Sequence, residues 1–372
     1  MIYLDNAATS KMDERCNKII EQYNREEYYN TASPYSNELN NKVDKARSTF
    51  IKLLNGERNA RFIFTPSATI SNNIAILGST AKKQKTMVFA EGEHSSVDSA
   101  ANFLKSGGYN IKFAPLNKSG SLDMLKLEKL LDGNVGFVSV MLASNETGAI
   151  DDIKKISELI KIKCPDAILH IDAVQGFCKI PINLKEWGVQ LCTVTAHKIH
   201  GPKGIAGLYI APNVNLKPIF FGGGQEYNLC PGTLNTGGIM AFEFIAEIMH
   251  STMQTNQAFI QKLRDRFIKN LSEIKNYIEV NGDGLPDIIS LSIDGTKGAV
   301  LVNMLKEQGV LIATGSACVD VKAENRALTS MGQSKCKVVG SVRVSLSHLN
   351  TMQEIDKAAE IFVNSVKKLL NL

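Results

Sequence analysis

Short apolar runs alternate with amphipathic stretches along most of this chain. Arg61-Phe62-Ile63-Phe64, Thr86 to Ala90, Val135 to Met141, the run ending at Asp172 and Val189 to Val194 read as strands. Between them, a segment from near Ile70 through Leu77, Ser121 to Leu131 and Asp151 to Lys163 carry the spacing of helices. Strands separated by helices of this length predict an α/β fold with a mostly parallel sheet, and ligands bind such sheets at the carboxyl ends of the strands. The chain opens on a strand-like Ile2-Tyr3-Leu4 that breaks at the polar turn Asp5-Asn6-Ala7-Ala8-Thr9. After a glycine-rich segment, Phe221 to Glu226 and Pro231-Gly232-Thr233, a long helical stretch is expected from about Ile239 to Ile274. It leads to a smaller α/β unit: strand Ile288 to Ile293, helix Gly298 to Gln308, strands Val310 to Ala313 and Val342 to Ser345, and an amphipathic helix from Met352 to Leu370.

Two strand ends carry chemistry. Thr195-Ala196-His197-Lys198 follows the apolar run to Val194, and Gly201-Pro202 turns the chain just beyond. A lysine there, crowded by a histidine, is placed as an amine nucleophile toward a carbonyl, which makes Lys198 the candidate for a Schiff base with pyridoxal 5'-phosphate (PLP). Upstream, Ile168-Leu169-His170-Ile171-Asp172 ends an apolar strand on an acid. PLP works as an electron sink only while its ring nitrogen stays protonated, and a carboxylate partner keeps it so. Alone, Lys198 reads as a surface charge and Asp172 as a cap; in this order the pair is hard to explain blandly. His94 stands at a strand-to-helix junction, where a cap is the ordinary reading. Thr65-Pro66-Ser67-Ala68-Thr69 enters a helix whose free N–H groups suit a phosphate, although an isolated run of this kind is more readily a simple N-cap.

Composition removes several function classes. The 372 residues carry a net charge of +5 with the lysines scattered, and no basic patch speaks for nucleic acid. No segment approaches the roughly 18 apolar residues of a membrane span, and the N-terminus reaches Asp5-Asn6 too soon for a signal peptide, so the expected location is cytoplasmic. Seven cysteines, an odd number without a C-x-x-C pair, argue against a disulfide framework or a metal site. Cys16, Cys164, Cys178, Cys192 and Cys336 are expected to fill apolar or half-buried positions. Gly201, Gly204 and Gly207 lack dinucleotide-loop spacing, and His197 with His200 lacks a third metal ligand nearby; both patterns are assigned to the turn after Lys198.

From Tyr3-Leu4-Asp5-Asn6-Ala7-Ala8-Thr9 to Arg343-Val344-Ser345-Leu346, the sequence resembles the cysteine desulfurases of the NifS/IscS-like branch of the class V aminotransferase family, PLP enzymes of fold type I. The resemblance implies a large PLP-binding domain over 15–250 and a small domain made of 1–14 and 251–372. It implies that His94 stacks on the cofactor ring and moves a proton, that Asn145 and Gln175 lie at its phenolic oxygen, and that Ala68, Thr69, Thr195 and His197 hold its phosphate. Thr233 would complete the phosphate site of a second subunit, making the enzyme a homodimer. Arg343 would clamp the substrate carboxylate, with Asn145 beside it. Cys318, in Thr314-Gly315-Ser316-Ala317-Cys318-Val319-Asp320, would take the sulfur of L-cysteine as a persulfide, leave L-alanine and pass the sulfur to an acceptor or scaffold protein for iron–sulfur clusters or thiolation. The rival readings are a selenocysteine lyase, a class V aminotransferase or lyase with Cys318 idle, and a non-catalytic partner-binding scaffold. The chain departs from the family pattern at Tyr35, Ser67, Ile70, Tyr227, Cys230 and Ser347-His348. The two arginines replaced at Tyr227 and Cys230 leave the acceptor open.

Overall fold

The computed structural model describes residues 1–81, 85–314 and 325–372. In chain order the elements that frame the site are β1 (Ile2–Tyr3), α1 (Glu14–Arg25), α2 (Asn37–Leu53), β2 (Arg61–Thr65), α3 (Ala68–Gly78), β3 (Thr86–Ala90), α4 (Ser95–Ser106), β4 (Asn110–Ala114), α5 (Met124–Leu130), β5 (Val135–Met141), α6 (Ile153–Lys163), β6 (Ile168–Asp172), α7 (Leu184–Trp187), β7 (Leu191–Thr195) and β8 (Ala206–Ile210). They are followed by α8 (Thr236–Ser251), α9 (Met253–Asn270), β9 (Ile278–Asn281), β10 (Ile288–Ile293), α10 (Gly298–Glu307), β11 (Val310–Leu311), α11 (Arg326–Ser330), α12 (Lys335–Val339), β12 (Ser341–Ser345) and α13 (Met352–Leu370).

The main sheet has seven strands in the order β2-β8-β7-β6-β5-β3-β4. It is parallel except for β8, which runs antiparallel to both β2 and β7. Its central strands β5, β6 and β7 are buried along their whole length, as expected of a sheet covered on both faces. Gly207 lies inside β8, paired with Phe64 and Val194, rather than in the turn after Lys198, and a Cβ there would come within 2.1 Å of the Phe62 ring on β2. Glycine is what lets this strand pair close.

A second core surrounds the antiparallel sheet β12-β10-β9, where Leu291, Val342 and Val344 pack with Leu263 and Phe267 of α9 and Ile355 and Phe362 of α13. A capping box between Thr351 and Glu354 starts α13. The expected single helix from Ile239 to Ile274 is instead two helices that break at Thr252, where φ is −99° and ψ 5°. The apolar face of α8 packs on the first core and that of α9 on the second, so the chain turns between them. The strand expected to reach Ala313 stops at Leu311, leaving Ala313 in an isolated bridge to Arg343.

The glycine-rich segment ends in three consecutive non-glycine residues in the left-handed region: Glu226 (φ 51°), Tyr227 (φ 56°) and Asn228 (φ 63°). Such backbone costs roughly 1–2 kcal/mol per residue. The buried Glu226 carboxylate offsets it by accepting from Arg47 at 2.6 and 2.7 Å and from the Phe64 N–H at 2.9 Å. Tyr227 lies under the guanidinium groups of both Arg47 and Arg61, a local use for this departure from the family pattern.

Candidate active site

The carboxyl ends of β2, β3, β5, β6 and β7 converge on a cavity of about 560 Å³. Lys198 enters it three residues beyond β7, on a turn closed by Ile199 N–H and Gly201 N–H donating to the Ala196 carbonyl. The facing wall is the turn after β1, stitched down on both sides. Ala7 N–H donates to Ser345 Oγ, and Ser10 N–H donates to the His197 carbonyl. Lys198 Nζ donates to the carbonyls of Ala7 and Ala8. A neutral amine has two hydrogens, so these bonds use both and leave its lone pair free for the cavity. Burial, then the charges of Arg343 and Lys179, pulls the Lys198 amine down to about 7. The geometry and the electrostatics therefore favour the same nucleophilic form.

Asp172 ends β6 and is buried. Its Oδ1 accepts from Val174 N–H at 3.0 Å and its Oδ2 from Asn72 Nδ2 at 2.8 Å. Asn72, on α3, also reaches Ser96 Oγ at 2.9 Å, and that hydroxyl lies 2.9 Å from His94 Nδ1. His94 caps α4 by accepting from Ser96 N–H at 3.2 Å, so the neutral ring carries its hydrogen on Nε2. Burial lowers the His94 pKa against the pull of Asp172, and Lys198 and Arg326 lower it further. His94 is thus both the junction cap of its ordinary reading and a wall of the cavity. Asn72 and the buried Glu93, also on the wall, escaped the sequence reading. Burial, with Asp172 and Asp151 nearby, raises Glu93 well above the usual carboxylate range.

At the other end lie Ser67, Ala68, Thr69 and His197. Ser67 takes the N-cap by accepting from Ile70 N–H at 3.3 Å, which leaves the first amides of α3 without partners inside the helix. Burial and the charges of Lys198 and Lys203 hold the His197 ring down at about 4, hence neutral. Thr195 does not line this cavity; it faces a smaller one of about 240 Å³ that shares Ser67 and His197 with it.

Arg343 is brought to the cavity by β12 but is already engaged. Its Nη1 donates to the Asn145 carbonyl at 2.8 Å and its Nη2 to Asp5 Oδ1 at 2.8 Å, so the expected bidentate fork is not free. Its Nε and the Asn145 Oδ1 are buried without partners among the described residues. Gln175 lines the cavity with its amide donating to the Ala7 carbonyl. Thr233 is exposed and lies outside the cavity, and Cys318 falls outside the described residues. Of the other cysteines, Cys336 is exposed, against expectation, because the short α12 presents it to solvent. Among the described residues no group of side chains is arranged to hold a metal. No described helix is long and apolar enough to cross a membrane.

These residues fit PLP. A nucleophilic lysine, an acid at the cavity wall, free helix amides with Thr69 for a phosphate and the unpartnered Asn145 Oδ1 are what its aldehyde, ring and phosphate require.

Residues 2–358 match the family "Aminotransferase class-V". Over 383 aligned residues the chain is 32% identical to "Cysteine desulfurase IscS" of Rickettsia massiliae, covering 100% of this chain and 92% of that protein. It is 33% identical to "Cysteine desulfurase" of Nostoc sp., covering 99% of this chain and 94% of the relative. Among solved structures, a "NIFS-LIKE PROTEIN" superposes with a TM-score of 0.91 at 30% identity, covering 98% of both chains.

Proposed function

The chain belongs to the class-V aminotransferase family, and from that membership and the cavity we propose that Lys198 carries PLP and then serves as the base of an L-cysteine desulfuration. The enzyme is a PLP-dependent cysteine desulfurase. When bound, PLP supplies an aldehyde for the substrate amine and a protonated ring that takes up the electron pair released at Cα. Asp172, its carboxylate fixed by Val174 and Asn72, holds that ring proton. Lys198, with its lone pair toward the cavity, receives the Cα proton. His94 would lie beside the ring, with a hydrogen on Nε2 to transfer. Thr69, the α3 amides and His197 take the phosphate, and Asn145 and Gln175 bound the phenolic side.

Arg343 orients the substrate carboxylate through its free Nε, and Asp5 and the Asn145 carbonyl fix the guanidinium plane. Arg343→Lys keeps the charge and loses the plane. Its kcat/KM for L-cysteine is expected to fall about 10- to 100-fold, mainly through KM, in steady-state assays of alanine formation.

Cys318, as a thiolate, attacks the substrate sulfur. An S–S bond forms as the substrate C–S bond breaks, the electron pair stays with the carbon, and a proton completes alanine, so no outside oxidant is needed. The persulfide sulfur then passes to an acceptor. The exposed Thr233, remote from its own cavity, supports a homodimer in which it completes the partner subunit's phosphate site. The two larger cores support a two-domain division, with Ala327, Leu328 and Met331 of the C-terminal part packing on the first core.

The observation that carries the proposal is the Lys198 amine, half-buried, two-fold bonded and free at its lone pair, in one cavity with Asp172. The test is alanine and sulfide release from L-cysteine by the PLP-loaded protein with a thiol reductant. Equal amounts of both are expected; no alanine from protein that holds PLP would refute the activity.

A further inference from the structure

Lys179 and Asp287 form a nearly buried ion pair at 2.6 Å, outside the cavity and with no part in the reaction as described. Their side chains are 10% and 5% exposed. Lys179 stands on the turn after β6, and Asp287 stands just before β10, in the segment that closes on Leu285 and Ile288 against Ala7. The pair therefore ties the main sheet to the antiparallel one. It does not end there: Lys179 Nζ also donates to Gln175 Oε1 at 3.2 Å, four residues back in the turns that follow β6. Gln175 Nε2 donates to the Ala7 carbonyl at 2.9 Å, and Ala7 is one of the two carbonyls that receive Lys198 Nζ. A continuous polar chain thus runs Asp287, Lys179, Gln175, Ala7 carbonyl, Lys198. Each link is a hydrogen bond or ion pair; both ends of the Gln175 amide are engaged, and one Nε2 hydrogen is left for the cavity.

We propose that Lys179, held by Asp287, is a positioning residue for Lys198: through Gln175 it fixes the carbonyl that orients the amine. The inference rests on the assignment of Lys198 as the PLP-binding lysine. Lys179 donates to Gln175 Oε1 and so leaves only the amide NH₂ to face Ala7, which settles which way the carboxamide points. Its positive charge, nearly buried, acts on Lys198 with little screening. The other charged or titratable groups facing Lys198 are Arg343 from β12, Asp5 from the turn after β1, Asp172 from β6, His94 from the start of α4 and His197 beside it. Lys179 also faces His200, and Asp287 faces Arg264 of α9. Arg343 is committed to Asp5, so the Lys179 charge is the one set by a contact between the two sheets.

The sign follows from the charges. Removing Lys179 removes a like charge, so the Lys198 amine holds its proton to higher pH. Removing the Asp287 charge leaves Lys179 uncompensated and drives Lys198 the other way. The measurement is the rate at which the full-length protein, stripped of cofactor, takes up added PLP as a function of pH, followed by the absorbance of the bound cofactor. PLP's own titration is common to all variants and cancels in the comparison.

The acid limb of uptake should move up by about one pH unit in Lys179→Met, about tenfold slower capture near pH 6, and should move down in Asp287→Asn. Lys179→Arg should return it toward the wild type. The double variant Lys179→Met/Asp287→Asn removes both buried charges at once, which proteins commonly tolerate, and it should keep the upward shift even if Lys179→Met alone folds poorly. Unmoved limbs in folded variants, or a shift of the same sign in Lys179→Met and Asp287→Asn, would overturn the proposal, since a merely structural pair has no reason to give opposite signs. If the wild type takes up PLP but makes no alanine, the desulfurase reading fails while this test still stands. If wild-type uptake does not involve Lys198, the assignment beneath the proposal is what has failed.

Discussion

Lys198→Ala is expected to make no detectable alanine from L-cysteine, a loss of at least about 10⁴-fold, and to lose the absorbance of covalently held PLP. Two functions disappear together because one nitrogen performs both: it is the nucleophile that captures the cofactor and the base that takes the Cα proton. The fold should survive, because the side chain removed is an amine whose desolvation opposes its charge, and among the described residues it forms no ion pair. The Ala7 carbonyl keeps a donor in Gln175 Nε2, so the turn after β1 is not left wholly unpaired. Circular dichroism should match the wild type, and PLP should be retained only by the non-covalent contacts at α3 and His197. A variant that kept the bound-cofactor absorbance would show that another lysine carries it. Among the described residues, Lys203 lies beside His197 and Lys179 is bonded to Gln175.

The wild-type pH profile follows from the same amine. Its pKa of about 7 puts it in the neutral form above that pH, so the lysine-dependent steps should slow as pH falls through about 7 and hold steady above it. An unburied lysine would put that limb more than three units higher.

Lys198 and Asp172 could be found without coordinates because each ends an apolar run, and the ends of parallel strands share one edge of a sheet. Local spacing does not contain which strand neighbours which. Asn72 sits in the middle of α3, where nothing in its surroundings in sequence marks it out, yet the order β7-β6-β5 brings α3 against Asp172. Glu93 looks like a polar residue before a helix cap, and only the packed sheet shows that it is buried. The break at Thr252 was hidden for a different reason: α8 and α9 are each helical in pattern, and the turn between them is imposed by two separate cores. Arg343 was legible as a residue and not as a state, since its bond to Asp5 joins positions 338 apart. Charge partners at that separation leave no mark in a local pattern.

Cys318→Ala is the variant expected to separate the chemistry from the scaffold that supports it. The described residues on either side of the segment that holds Cys318 in sequence are tied to the cavity. Ala313 bridges to Arg343, and beyond the undescribed residues Arg326 lines the cavity, paired with Asp98 at 2.7 Å. Ala327 N–H is received by the buried Glu146 carboxylate at 3.0 Å, so the return point is anchored on the loop that holds Asn145. None of the groups assigned to PLP belongs to this segment. Cys318→Ala should therefore bind PLP and L-cysteine as the wild type does, while alanine formation falls by at least about 10³-fold, because no thiolate remains to accept the sulfur. Serine in its place should fail equally, its hydroxyl being far too weak an acid to supply the nucleophile. Near-normal alanine release from Cys318→Ala would mean that sulfur leaves without a protein thiol, as in a lyase, and the persulfide step would be withdrawn while the roles of Lys198 and Asp172 stood. Loss of PLP binding together with turnover would instead place Cys318 in the cofactor site. The predicted pattern, intact cofactor absorbance with lost turnover, is the one outcome that assigns the lysine and the cysteine to different bonds of the same substrate.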